Sequence, residues 1–399
     1  MANAINIPGG MRDRLFSECG RRRELLAGFT DLFSRCGYRE VMVPALEYYE
    51  LFLRAGRLLT EETMYKLVDR DGRILVLRPD STYPLARVYA TKLKNEPAPQ
   101  RLFYSLPVYR MDTVHGGRES EIMQAGIELV GKNGIRADLE VLSIAIRSLA
   151  MLGCDFRIEI GHAGLFKSLV SRVTSDPDLQ EEIRSTVERK SYAALGDLLE
   201  PYGENESARA LMRLINLFGG KEVLAEAERL AGDEEARAGI AYLRSLHTEL
   251  SRAGLAERVR FDMGLVREID YYTGIVFTAY VRGSGIPVLS GGRYDGLIGS
   301  FGVPAPGAGF SIHVDAVANC LPLPEEAPPE VLLHYEEGRL GDALEALVSF
   351  PPGTAELSLG ESEDASLAIA AQKRAKRVVV FPASGGRREI SLSGKEGAK

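Results

Sequence analysis

The sequence predicts an α+β fold: an antiparallel sheet with flanking helices, a helical insertion, and a small C-terminal α/β module. Three observations predict it. Strand and helix signals come in runs and not as alternating βαβ units. The stretch over about 163–257, with segments such as "AEAERLAGDEEARAGIAYLRSLHTELSRAG", carries helical periodicity and few strand signals. The segment "CLPLPEEAPPEV" concentrates prolines and acidic residues as a linker does. The expected organisation is a domain over 1–320, a linker over 321–331 and a module over 332–399. A chain of 399 residues exceeds the length over which one core keeps growing, which agrees with more than one unit.

Taken in order, Leu25, Phe29, Leu32, Phe33 and Cys36 recur at helical spacing, and Gly37 follows where a helix C-cap glycine belongs, so a helix is expected over 17–36. "YREVMVPALEYYELF" alternates as a strand does, and Pro44 places that strand at a sheet edge or its own end. "YKLVDRDGRILVLRP" reads as a hairpin with a two-residue I′ turn at Asp71 and Gly72. "RLFYSLPVYRMD" and "SEIMQAGIELVG" are two further strands, joined by the loop "TVHGGRE". After the helical stretch the sheet resumes at "VRFDMGLVREIDYYTGIVFTAYV". The last module alternates an alanine-rich helix with apolar strands such as "RVVVFPA".

The composition narrows the function classes. A formal net charge of -7 argues against a polyanion-binding surface, although a local basic groove is compatible with it. The cysteines Cys19, Cys36, Cys154 and Cys320 show no CxxC spacing and the five histidines form no HxxxH pair, so neither a zinc site nor a disulfide framework is expected. With no apolar N-terminal segment and no long apolar run, a cytoplasmic protein is the expectation.

Four separated segments set charged or amide groups among apolar strand residues: "LRPDST", "VYRMD", "EIMQAGIE" and "LVREIDYYTGIVF". In the third, Ile122, Gln124, Gly126 and Glu128 share one strand face at period 2. Asp80, Gln124 and Glu128 as acceptors, with Arg110 and Arg267 as donors, suit a zwitterion, because an ammonium wants carboxylate and amide oxygens and a carboxylate wants a guanidinium fork. Tyr271 and Tyr272 can flank a flat polar ring, and the glycines of "SGGRYDG", which includes Tyr294, let backbone come close. Taken singly, "LRPDST" reads as a turn closing a strand and the tyrosine pair as packing. Their joint occurrence is the signal.

At this point the chain resembles the histidyl-tRNA synthetase family over roughly 6–320. "GMRDRLF" and "GYREVMVPALEYYELF" resemble its first motifs, "VYRMDTVHGGRESEIMQAGIELVG" its motif 2, and "LVREIDYYTGIVF" with "SGGRYDGLIGSFG" its histidine-recognition segments. The resemblance implies a class II aminoacyl-tRNA synthetase-like sheet, a homodimer through the motif 1 region and histidine as ligand. It assigns Asp80, Thr82 and Gln124 to the ammonium, Arg267 and Gln124 to the carboxylate, and Glu128 with Tyr272 to the imidazole.

The departures bear on catalysis. Adenylate formation places charge on ATP phosphates and needs cations there. Where the family has an arginine in motif 3 this chain has Ala316, after Asp315; Ile122 replaces an adenine-stacking phenylalanine and Ser120 a loop arginine, while Arg110 and Arg118 remain. The tail is short and acidic for a tRNA-binding domain, so tRNA binding is not expected. A kept histidine pocket, an eroded ATP site and a shortened tail together resemble the ATP phosphoribosyltransferase regulatory subunit family. That resemblance implies no cofactor and no catalysis by the chain alone. It implies a short-form catalytic phosphoribosyltransferase as partner in the first step of histidine biosynthesis, and a hetero-oligomer that responds to histidine. The alternative is a histidine-tRNA ligase, which histidine-dependent ATP-pyrophosphate exchange distinguishes.

Overall fold

The computed structural model describes residues 6–53, 61–111, 119–266, 272–323 and 327–392. The chain divides into two compact units, Met1–Pro322 and Leu323–Lys399.

In the first unit, nine strands among the described residues form one sheet. Their order across it is Arg39–Glu40, Gln100–Tyr109, Glu121–Val130, Gly307–His313, Leu289–Arg293, Ile275–Val281, Phe156–His162, Val259–Asp262 and Phe218–Gly219. The pairings are antiparallel except for the first pair and that of Phe156–His162 with Val259–Asp262. One sheet face is apolar. Ala125, Ile127, Leu129, Phe103, Phe310, Ile312, Phe277 and Ile158 pack there against Phe29 and Phe33 of the helix Phe16–Arg35 and Val141, Leu142 and Ala145 of the helix Ile135–Ala150. Phe29 and Phe33 are both 0% exposed, so each contributes about 1.5–3 kcal/mol of burial.

The first helix ends at Arg35, and Gly37 takes a φ of 82°, a left-handed turn that a residue with a Cβ adopts only at a cost. The strand expected over "YREVMVPALEYYELF" is broken into two. Arg39–Glu40 forms an edge of the large sheet, Leu46–Tyr48 joins a separate three-stranded sheet, and Glu50–Leu53 is helical. Pro44 lies between them, unable to donate to a ladder. The hairpin is present, with Lys66–Val68 paired to Ile74–Leu77, but its turn is longer than the I′ turn expected. Asp69 Oδ1 accepts from the amides of Asp71 and Arg73, closing a loop that the side chain organises.

Helices dominate the region between the strands Phe156–His162 and Val259–Asp262. Three of them start at residues whose side chains accept from backbone amides: Asp176 from Asp178, Asn205 from Ser207 and Ala208, and Asp233 from Ala236. The second unit has three parallel strands in the order Ala355–Leu357, Val331–Tyr335 and Arg377–Phe381, with Arg388–Ser391 antiparallel to the last. Helices Leu340–Ser349 and Glu363–Gln372 complete this α/β module.

Among the described residues, no helix is long and apolar enough to cross a membrane.

Candidate functional site

The face of the large sheet opposite the helices carries the polar groups. Its register sets them in rows, because directly paired residues project to the same side. Glu128 lies between Leu102 and Gly309, Gly126 between Tyr104 and Ser311, and Gln124 between Leu106 and His313. Ile122 continues this face opposite Val108.

"LRPDST" leaves the small sheet and starts a helix, and its side chains explain how. The Arg78 guanidinium is 2% exposed and donates to the carbonyls of Val43, Pro44 and Pro107, which locks three chain segments together. Asp80 Oδ1 accepts from Thr82 N at 2.7 Å and Tyr83 N at 3.3 Å, satisfying amides at the start of the helix Thr82–Val88. That places the Thr82 hydroxyl 2.8 Å from Glu128 Oε1, to which it donates. Arg110 Nε donates to Pro79 O at 2.7 Å, and its Nη2 stands 3.7 Å from Asp80 Oδ2.

Glu128 is the centre of the arrangement. The Tyr294 hydroxyl donates to its Oε2, opposite Thr82. Burial pushes the Glu128 carboxyl up to about 8; the two hydroxyl donors oppose that shift, and the nearby Asp80 charge adds to it. The neighbouring glycines supply the room: a Cβ on Gly309 would overlap the Glu128 carboxylate, and one on Gly307 would overlap the Tyr294 ring. A Cβ on Gly292 would come within 2.7 Å of the ring of Tyr272, itself buried. The hydroxyl of the buried Tyr104 lies beside Gly126 and near Glu128, Asp80 and Tyr272, whose charges push its pKa up after burial has done so.

Thus Asp80, Thr82, Arg110, Gln124, Glu128, Tyr272 and Tyr294 share one side of the sheet with Tyr104, a residue the sequence reading missed. Its only local signal was its period-2 phase with Leu102 and Leu106. Arg267, Tyr271 and Arg118 lie outside the described residues.

The positions assigned to a degraded nucleotide site look different in space. Ser120 is buried, and its amide donates to Gly10 O at 2.7 Å. Ala316 packs into the main apolar cluster. Asp315, 3% exposed, accepts from Met123 N at 2.8 Å and faces two guanidinium groups, Arg14 at 3.3 Å and Arg22 at 3.4 Å. Arg14 also pairs with Glu119, and Arg12 lies 3.6 Å from Glu119. Guanidinium groups are therefore present near this end, but they are tied to the protein's own carboxylates. Among the described residues no group of three or more His, Cys, Asp or Glu side chains could hold a metal ion.

Comparison with known proteins identifies the family. The family model for histidyl-tRNA synthetase matches residues 10–317. An ATP phosphoribosyltransferase regulatory subunit of Clostridium acetobutylicum is 41% identical over 320 residues, covering 79% of this chain and 78% of its own. That of Clostridium kluyveri is 38% identical over 347 residues, covering 85% of this chain and 89% of its own. A crystal structure from Bacillus halodurans, described as an ATP phosphoribosyltransferase regulatory subunit/histidyl-tRNA synthetase, superposes with a TM-score of 0.82 at 30% identity, over 95% of this chain and 99% of that one. With these matches over most of both chains in sequence and in three dimensions, the chain belongs to the ATP phosphoribosyltransferase regulatory subunit family, built on the histidyl-tRNA synthetase fold.

Proposed function

We propose that this chain is a histidine-binding regulatory subunit, silent as a catalyst on its own, that partners a short-form ATP phosphoribosyltransferase in the first step of histidine biosynthesis. The observation that carries the ligand is Glu128, a buried carboxyl group held by the Thr82 and Tyr294 hydroxyls at one end of a polar strand face. Such a group suits an imidazole, which offers an N–H donor and a site for a shared proton. The Tyr272 ring covers Gly292, in the same row of paired residues as Gly309 and Glu128, and is the aromatic partner of the imidazole, while Asp80, Thr82 and Gln124 are the acceptors for the ammonium. Arg267 with Gln124 takes the carboxylate, as the family resemblance implies.

The ion pairs around Asp315 support the absence of adenylation. Arg14 and Arg22 already meet a buried carboxylate, so triphosphate binding there would have to break those pairs and would meet the negative charge of Asp315. Ligand response in the assembly is then a matter of coupling. Histidine must bind the inhibited assembly more tightly than the active one, typically by about 1–3 kcal/mol. Tight binding alone shifts nothing.

The subunit acts in the cytoplasm, and it pairs with a second copy through the motif 1 region, whose strand Leu46–Tyr48 belongs to the three-stranded sheet. There Leu46, Tyr48 and Leu67 project from one face and are 41%, 43% and 43% exposed. tRNA is not a partner.

The test reconstitutes the two chains. The short phosphoribosyltransferase should be active only with this chain, and histidine should inhibit the mixture; with Glu128→Ala the activity should persist while inhibition is lost. Histidine-dependent ATP-pyrophosphate exchange by the purified chain would instead identify a ligase and sink the reading.

A further inference from the structure

One buried nitrogen on the site face, Nε2 of His313, is left without a hydrogen-bond partner among the described residues. His313 ends the strand Gly307–His313 directly opposite Gln124, so both side chains leave the sheet on the side of Glu128. Its side chain does not cap the helix Val314–Cys320 that follows. Such orphaned polar atoms are unfavourable and uncommon in folded proteins, and a ligand group is one way they are satisfied.

The surroundings select the ligand group. Asp315, Arg110 and Arg14 are the charged groups near the ring, and burial holds the imidazole below its ordinary pKa, so it is neutral at pH 7 with one N–H to give. Asp315 is already engaged by Met123 N, Arg14 and Arg22. A neutral N–H can donate to an anion and has nothing to offer an ammonium, so this nitrogen favours a carboxylate. Along the strand, Glu128 and Gln124 are separated by roughly 13 Å at the rise of a β-strand. The side chains of Glu128, Gln124 and His313 project into the gap between them, so a histidine with its ring at Glu128 and its backbone end directed along the strand brings its carboxylate to the Gln124 and His313 pair.

We propose that His313 Nε2–H donates to the α-carboxylate of the bound amino acid and makes the pocket selective for a free carboxylate. This inference rests on the histidine-binding reading. It adds a specificity-determining residue that the motif resemblance does not assign.

Calorimetry on the full chain tests it with two ligands: histidine and its alcohol analogue, in which CH2OH replaces the carboxylate. The wild type should prefer histidine. His313→Ala should weaken histidine by roughly tenfold, the scale of one lost charge-assisted hydrogen bond, and change the alcohol by less than about twofold. His313→Gln, which keeps an N–H donor, should retain most of the preference. Equal affinity of the wild type for both ligands, or equal weakening of both in His313→Ala, overturns the proposal even where histidine binding itself is intact. A wild type that binds neither ligand overturns the histidine reading, and the proposal with it.

Discussion

Tyr294 and Glu128 meet by a hydrogen bond from the tyrosine hydroxyl to Oε2, at a place where the carboxyl group is wholly enclosed. The two come from distant parts of the chain, and the backbone beside them is glycine at 307 and 309 because side chains there would collide with both. A carboxyl so placed holds its proton well above the ordinary carboxylate range, up to about 8 from 4.5.

That shift has a sign for stability. With the folded pKa raised, the folded state binds more protons than the unfolded one between pH 4.5 and about 8. Glu128 therefore contributes its full stabilisation below pH 4.5, and the contribution is lost as pH rises through about 8. Thermal melts across pH 4–9 should show the wild type losing stability relative to Glu128→Gln, which cannot titrate, as pH rises from 4.5 to about 8, with no further relative loss above that. Parallel curves would mean that the carboxyl is already ionised at neutral pH.

Histidine binding should have an optimum for the same reason. The empty pocket carries one proton on Glu128 up to pH about 8, and the free imidazole is neutral above roughly 6.5. A Glu128–imidazole pair holds one proton in total. Below the lower value two protons must become one, and above the higher value one must be taken up. Affinity should fall on either side, approaching tenfold per pH unit, with its maximum near pH 7. An affinity that stays level from pH 5 to 9 would rule out a shared proton.

Gly309→Ala isolates the role of space. The new methyl group would overlap the Glu128 carboxylate, a side chain hemmed in by Thr82 and Tyr294. Overpacking of this kind costs about 1–3 kcal/mol of stability. Histidine affinity should fall by more than tenfold while circular dichroism keeps the wild-type signature. Unchanged affinity would place the ligand elsewhere.

Much of this face was legible in the sequence because period 2 is a strict rule. Gln124, Gly126 and Glu128 have to share a side once the segment is a strand, and the register with Gly307–His313 carries that rule across to the neighbour. What stayed hidden were pairings that no local pattern encodes. Arg78 reads as one more charge in "LRPDST", yet its guanidinium serves three backbone carbonyls. No local pattern links Arg14 and Arg22 to Asp315, yet the fold brings both to that carboxylate at the buried start of the helix Val314–Cys320. The break at Pro44 was visible as a proline, but its sending the flanking strands to different sheets is a tertiary outcome.

Asp315 gives a prediction of its own. Removing it leaves the Met123 amide without its acceptor, takes the carboxylate from Arg22 and leaves Arg14 with Glu119 alone. Asp315→Ala should cost about 2–4 kcal/mol in urea unfolding, since breaking a buried pair strands its partners. The same variant should still show no ATP-pyrophosphate exchange, because freeing Arg22 does not supply a stacking surface at Ile122. A loss below about 0.5 kcal/mol would show that these pairs are no tighter than ordinary surface ones.

The three-stranded sheet offers the test of self-association. Leu46 pairs with Leu77, Tyr48 with Leu75 and Leu67 with Leu75, so five apolar or aromatic side chains lie on one face. Three of the five are more than 40% exposed, an arrangement that costs solubility unless another surface covers it. A second copy of the chain is the occupant proposed, and a stable pair of this kind buries about 1,600 Å² in total. Placing a charge at the centre of such a contact removes apolar burial and leaves the ammonium unpaired, so Leu46→Lys combined with Leu67→Lys should convert a dimer to a monomer at micromolar concentration. Light scattering after gel filtration reads the mass directly. The single-chain fold should persist, because both side chains already face outward. A wild-type chain that runs as a monomer, or a double variant that remains a dimer, would move the self-contact away from this sheet.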